Sequence, residues 1–122
     1  MASFALAGQA HKALGDDATA ESLFRRALAA DGKDADAANQ LGLLLVRQNH
    51  LDEARRCFEQ AIAAQRDHVW AINNLGVLYM QTQKVDDAVA AFRYGIAVAP
   101  DEERSYLNLA RVYARGRSRQ GP

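Results

Sequence analysis

The chain has 122 residues, 49% of them apolar and 25% charged, with 15 basic and 15 acidic side chains. That length fits one folded domain, and that composition excludes the apolar-poor, strongly charged profile of a disordered chain. A formal net charge of zero leaves no basic excess of the kind that bulk nucleic-acid binding requires.

Only two prolines occur, and alanine, the best helix former, is abundant, so composition points to an all-helical protein. The single cysteine, Cys57, cannot form an internal disulfide, and nothing indicates an oxidising compartment. No apolar run approaches the ~20 residues of a membrane-spanning helix. The opening Met1-Ala2-Ser3-Phe4-Ala5-Leu6-Ala7-Gly8 has a short apolar stretch but no basic start, so it reads as part of the fold and not as a leader. The expectation is a cytoplasmic chain with no membrane and no nucleic-acid partner.

A 34-residue period runs through the sequence. The first repeat, 1–34, carries Phe4 and Gly8, then Ala20, Phe24, Ala27 and Leu28. The second, 35–68, carries Leu41-Gly42 and Leu45; Asp52-Glu53 opens its second half, and Ala54, Phe58, Ala61 and Ile62 follow. In the third, 69–102, Ile72, Leu75, Gly76 and Tyr79 share one helical face. Gln81-Thr82-Gln83-Lys84 then makes a turn, and Asp86-Asp87 opens a second helix with Val85, Ala88, Val89, Phe92 and Ile96 on its apolar face. Carboxylates at a helix start favour the positive end of its dipole by ~0.3–1 kcal/mol each. Pro100 stops this repeat after Ala99. A fourth start keeps the register with Tyr106, Leu109, Ala110 and Tyr113, and predicts a capping helix over 103–115. Residues 116–122 are basic and lack apolar spacing, and read as a flexible tail.

The repeated columns have physical reasons. The small residue at Gly8, Gly42, Gly76 and Ala110 lets the two helices of a repeat approach, and Ala20, Ala54 and Ala88 do the same from the other side. Glycine inside a helix costs ~1 kcal/mol relative to alanine, so its threefold use implies that a larger side chain would clash. Phe24, Phe58 and Phe92 are expected to fill the space between neighbouring repeats, each contributing ~1.5–3 kcal/mol on burial.

Leu75-Gly76, Tyr79, Ala88, Phe92 and Pro100 in the third repeat match the tetratricopeptide pattern, with Ile72 where tryptophan is usual. The second repeat has Leu45 for the tyrosine and Arg66 for the proline; the first has His11 and Gly32 there. The chain thus resembles the tetratricopeptide repeat family over residues 1–115. The resemblance implies an all-α fold, a right-handed superhelix of antiparallel helix pairs (an α-solenoid) with three repeats plus a C-terminal helix, forming a single domain. It also implies a concave groove lined by the first helix of each repeat.

In relatives, an asparagine in the column Leu6, Gln40, Asn74, Asn108 often bonds the backbone of an extended peptide, and its amide offers both donors and an acceptor. Neighbouring columns place Leu43, Val46, Trp70, Val77 and Met80 on the same face, edged by Arg47, Arg104, Arg111 and Arg115. An apolar patch with polar edges marks a binding site. The expected peptide-binding set is therefore Gln40, Leu43, Arg47, Trp70, Asn73, Asn74, Val77, Met80, Arg104, Asn108 and Arg111. Trp70 packed under a neighbouring turn is the alternative. Some members of the family clamp a peptide's C-terminal carboxylate with lysine, arginine and asparagine. Asn74, Asn108 and Arg104 match parts of that clamp, while Ala2 and Leu6 stand where it has lysine and asparagine.

No catalytic or metal site is expected, and no cofactor. His11, His50 and His68 lack the spacing of a helical metal site, and His50 and His68 read as solvated. Asp16-Asp17 and Asp86-Asp87 sit at helix starts, and Cys57 beside Phe58 reads as a structural thiol. The leading reading is a scaffold or adaptor that binds a protein or peptide partner, with an acidic or C-terminal carboxylate segment favoured by the arginines. The second is self-association into a homo-oligomer, because the last helix carries Tyr106, Leu107, Leu109, Val112 and Tyr113 with little to cover them. The third is a piece of a longer repeat protein.

Overall fold

The computed structural model describes the backbone of residues 3–119 and the side chains of residues 3–116. Ala2 and Gln120-Gly121-Pro122 lie outside the described residues. Seven helices and no strand occur among those described: α1 Phe4–Ala13, α2 Asp17–Ala30, α3 Ala35–Arg47, α4 Leu51–Ala64, α5 Val69–Gln81, α6 Val85–Val98 and α7 Glu103–Arg119. α7 continues past 115, the expected end of the capping helix. The chain forms two compact bodies, Met1–Arg66 with α1–α4 and Asp67–Pro122 with α5–α7.

The helix starts follow the period: α3, α5 and α7 begin at 35, 69 and 103, and α2, α4 and α6 at 17, 51 and 85. The caps repeat as well. Asp34 accepts from Ala37 N–H, His68 Nδ1 accepts from Ala71 N–H at 3.1 Å, and Glu102 accepts from Arg104 N–H. Each satisfies an otherwise orphaned donor of a first turn. His68 is 5% exposed, so the expectation of a solvated histidine is corrected: it is a buried helix cap, held by the turn that starts α5. His50 is exposed, as expected.

The hairpin turns share one geometry. Gly15, Asn49 and Gln83 all adopt positive φ, at 82°, 63° and 64°. The next N–H then reaches back over the helix end: Asp16 to His11 O at 2.9 Å, His50 to Leu45 O at 2.9 Å and Lys84 to Tyr79 O at 2.8 Å. This is the Schellman closure, which lets three residues reverse the chain into an antiparallel hairpin.

Phe24, Phe58 and Phe92 are fully buried. A Cβ on Gly8 would lie 2.7 Å from Phe24 Cε1, and one on Gly42 2.5 Å from Phe58 Cε1; Gly76 and Phe92 meet in the same way. The glycine is therefore required by the ring of its own hairpin, which corrects the assignment of the rings to the space between repeats alone. Phe92 reaches both, since it also packs with Ala88 and with Val112 of α7. Ala110, the fourth member of the glycine column, is exposed, and no second helix covers it among the described residues.

A further close approach distinguishes the second body. Ser105 replaces the alanine found one and two periods earlier at Ala71 and Ala37, and its buried hydroxyl donates to Asn73 Oδ1 at 3.1 Å. A Cβ at Gly95 would sit 2.8 Å from that hydroxyl oxygen. Gly95 therefore stands where the other repeats carry Ala27 and Ala61.

Candidate functional site

In the first body, three expected residues lie on α3. Gln40 is engaged through its side-chain oxygen by Lys12 Nζ of α1. Arg47 pairs with Asp17 of α2 at 3.1 Å. Lys12 titrates below its ordinary value, first because burial strips its hydration and then because Arg47 lies near. Leu43 is half-buried. Two of the three side chains are thus committed to partners within the body, and the pairing residues Lys12 and Asp17 sit too far away in sequence for spacing to reveal them.

The second body brings the other eight together on α5 and α7. Trp70 is 48% exposed, with the Arg104 guanidinium 4.5 Å from its ring centroid. The ring is therefore not packed under a neighbouring turn. It is a solvent-facing plate, and the cation over it contributes ~0.5–1 kcal/mol.

Two clefts adjoin along these helices. One, of about 420 Å³, is bordered by Asn73, Asn74 and Val77 of α5 and by Glu102, Glu103, Arg104, Leu107, Asn108 and Arg111. The other, of about 340 Å³, is mainly apolar, with Val77, Met80, Phe92 and Val112 as its floor and Asn108, Arg111, Ala114 and Arg115 around them. Val77, Asn108 and Arg111 belong to both.

The asparagines divide differently from the column pattern. Asn73 and Asn108 are both buried, and the amide nitrogen of each has no hydrogen-bond acceptor. Asn74 is half-buried and already engaged. A buried donor without a partner costs ~1–3 kcal/mol. The pair with unspent donor capacity is thus Asn73 with Asn108, and Asn74 borders the same cleft. Asn73 recurs one period earlier as the buried Asn39, and the structure adds that its amide oxygen accepts from Ser105 of α7.

Sequence reasoning also missed Glu102 and Glu103 on the cleft rim, which offset the charges of Arg104 and Arg111 locally. The register showed Glu102 as the successor of the caps Asp34 and His68, which places it beside the start of α7. Arg115 beside the apolar cleft has no carboxylate among that cleft's lining residues.

No group of three or more metal-ligating side chains converges among the described residues. Cys57 is buried on α4, and burial first, then the negative charge of Glu53, pushes its thiol up to about 11. At neutral pH it is a protonated, unreactive thiol. No helix among the described residues is long and apolar enough to cross a membrane.

Comparison with known proteins places the chain. The tetratricopeptide repeat family matches residues 39–94 and 73–119 with one of its profiles and 3–38 with another. No curated protein is a significant match to the sequence. Among solved structures, that of MamA is similar with a TM-score of 0.85 at 21% identity, over 93% of this chain and 66% of MamA. The first repeat domain of Spaghetti (RPAP3), bound to the HSP90 peptide SRMEEVD, is similar with a TM-score of 0.85 at 15% identity, over 92% of this chain and 89% of that one. The second repeat domain of human RPAP3, in complex with the HSP70 peptide SGPTIEEVD, reaches 0.83 at 20% identity, over 91% and 92%. At such identities the likeness concerns the fold. With two profiles spanning nearly all of its length, the chain belongs to the tetratricopeptide repeat family.

Proposed function

We propose that this chain is a protein-interaction module whose α5–α7 face holds an extended segment of a partner protein. The observation that carries the reading is the pair of buried amide donors, on Asn73 and Asn108, beside a cleft that also presents Val77 and Arg111 and whose Arg104 lies over the exposed Trp70 ring. Both nitrogens are shielded as they stand, so an extended segment engages them through a turn of each side chain toward the cleft that both residues border, where its backbone carbonyls supply the missing acceptors. The apolar cleft next to them takes a side chain of the partner, and Met80 on its floor adapts to its shape.

Tetratricopeptide proteins are typically interaction modules and not catalysts. The peptides held by the two RPAP3 domains both end in two glutamates, a valine and an aspartate. Arg104, Arg111 and Arg115 favour a partner of that acidic kind, ending in a free carboxylate, while Glu102 and Glu103 moderate the preference.

Fluorescence anisotropy with an acidic peptide bearing a free C-terminus, against the same peptide amidated, tests this. Asn108→Ala should weaken binding several-fold, about the value of one neutral hydrogen bond, and Arg111→Ala about tenfold, about that of a charge-assisted one. Amidation should weaken it similarly. Equal affinity of wild type and both variants would remove the α5–α7 face as the site. Equal affinity for the two peptides would remove the carboxylate preference alone.

A further inference from the structure

Each residue of α1–α3 in the first body has a counterpart two periods later in α5–α7 of the second, so the two bodies compare position by position. In the first body, polar side chains link these helices. Lys12 Nζ donates to Gln40 Oε1, Arg47 pairs with Asp17 at 3.1 Å, and the Gln48 amide donates to Glu21. The counterparts are Met80 with Asn108, Arg115 with Val85, and Gly116 with Val89. Of these side chains only the arginine is retained, and valine stands where its carboxylate was.

The exchange leaves apolar surface beside an unpaired cation. A small cleft of about 70 Å³ is bordered by Met80, Gln83, Val85, Val112, Arg115 and Gly116. It shares Met80, Val112 and Arg115 with the apolar cleft of about 340 Å³, so the two adjoin. Arg115 is exposed and has no hydrogen bond or ion pair with any described residue. The chain has no aspartate or glutamate after Glu103, and Asp86 and Asp87, next to Val85, form no ion pair with Arg115.

We infer that Arg115 receives an aspartate or glutamate side chain of a bound partner segment, in place of the carboxylate that Asp17 gives to Arg47. The inference rests on the reading of the α5–α7 face as the binding surface, and it names the partner pattern which that face selects. Arg115 borders both clefts. A segment that passes over it fills both, and one that ended at it would fill one. In an extended segment alternate side chains face one side, about 7 Å apart. The acidic residue therefore lies two positions from an apolar one on either side, and these two enter the clefts. Their contact with the cleft walls excludes water around the ion pair and strengthens it.

Fluorescence anisotropy with the full chain tests the inference. The probe is an amidated peptide of serines and glycines with a central aspartate and a leucine two positions away on each side. The reference peptide has asparagine at the centre. Wild type should bind the aspartate peptide about fivefold more tightly, the upper range for an exposed ion pair. Arg115→Gln, at an exposed position, should bind the two alike. Val85→Asp should also bind them alike, because it returns to Arg115 the carboxylate that Arg47 has. Val85→Asn should weaken both peptides and keep their ratio, and circular dichroism checks that each variant retains its helices. No preference in wild type, or a preference that survives in Arg115→Gln or in Val85→Asp, would overturn the inference. So would a gain from freeing the C-terminus of the asparagine peptide that Arg115→Gln removes, since the arginine would then hold a chain end. Asn108→Ala separates this inference from the reading beneath it. That variant should weaken both peptides equally. If it weakens neither, the α5–α7 face is not the site and both fall; if it weakens both while wild type does not distinguish them, the role of Arg115 alone falls.

Discussion

Replacing Gly42 by alanine puts the main packing argument to a quantitative test. The new Cβ would fall 2.5, 2.8 and 2.9 Å from three atoms of the Phe58 ring. The ring is fully buried, so it can withdraw only by displacing its neighbours. Overpacking of this kind costs ~1–3 kcal/mol, and three simultaneous contacts place this case toward the upper end. Alanine returns ~1 kcal/mol through its helix propensity. The net loss is therefore about 1–2 kcal/mol, or a fall of roughly 5 °C in Tm for a chain of this size. Urea unfolding followed by helical circular dichroism measures it.

Two companion variants isolate the cause. Gly116→Ala meets nothing within 4 Å, so it should be neutral or stabilising by up to ~1 kcal/mol. In a Phe58→Leu background, Gly42→Ala should cost ~1 kcal/mol less than in the wild-type chain, a coupling typical of side chains in contact. A Gly42→Ala protein as stable as wild type, or an equal penalty in both backgrounds, would refute the account of the glycine column.

Gln83 holds a left-handed backbone with φ of 64°, so Gln83→Gly should raise stability by ~0.5–1 kcal/mol in the same assay; Asn49→Gly should gain less, because asparagine tolerates that region. Cys57 should react negligibly with Ellman's reagent at pH 8 in the folded protein and rapidly in urea, and native reactivity equal to a free thiol would contradict its burial. Asp16 titrates below its ordinary 3.8, held first by hydrogen bonds from Thr19, and Glu21 below its ordinary 4.5, held first by the Gln48 amide. Because both folded values are depressed, their stabilisation is complete above the unfolded values and is lost as pH falls through the folded ones. The urea midpoint should therefore drop below about pH 4.5, and Asp16→Asn with Glu21→Gln should flatten that drop; an unchanged slope would show that other carboxylates carry it.

Much of the fold is legible because a repeat protein writes each local instruction several times. Starts at 35, 69 and 103 follow from Gly8, Gly42 and Gly76 with their partner columns, and the helices begin there. The binding face is legible only in part. Column arithmetic selected Asn108, Val77, Met80 and Arg111, which do border the clefts. It named both Asn73 and Asn74, which border the same cleft, and only the structure separates them by leaving the unpaired donor on Asn73. It read His68 as solvated, since a residue between helices looks like a loop until its cap bond is seen.

By itself, then, the 34-residue recurrence determined helix number, helix starts and the apolar faces, because these depend on spacing along one chain. Pairing between distant side chains was decided only in three dimensions. Whether Phe58 presses on Gly42, whether Lys12 occupies Gln40, and whether Ser105 leaves Asn73 one free donor are questions of approach between separate helices. A period gives the order of residues on a face. Only packing sets how near the next face comes, and at hydrogen-bonding and van der Waals range a few tenths of an ångström decide which groups are spent and which remain to bind.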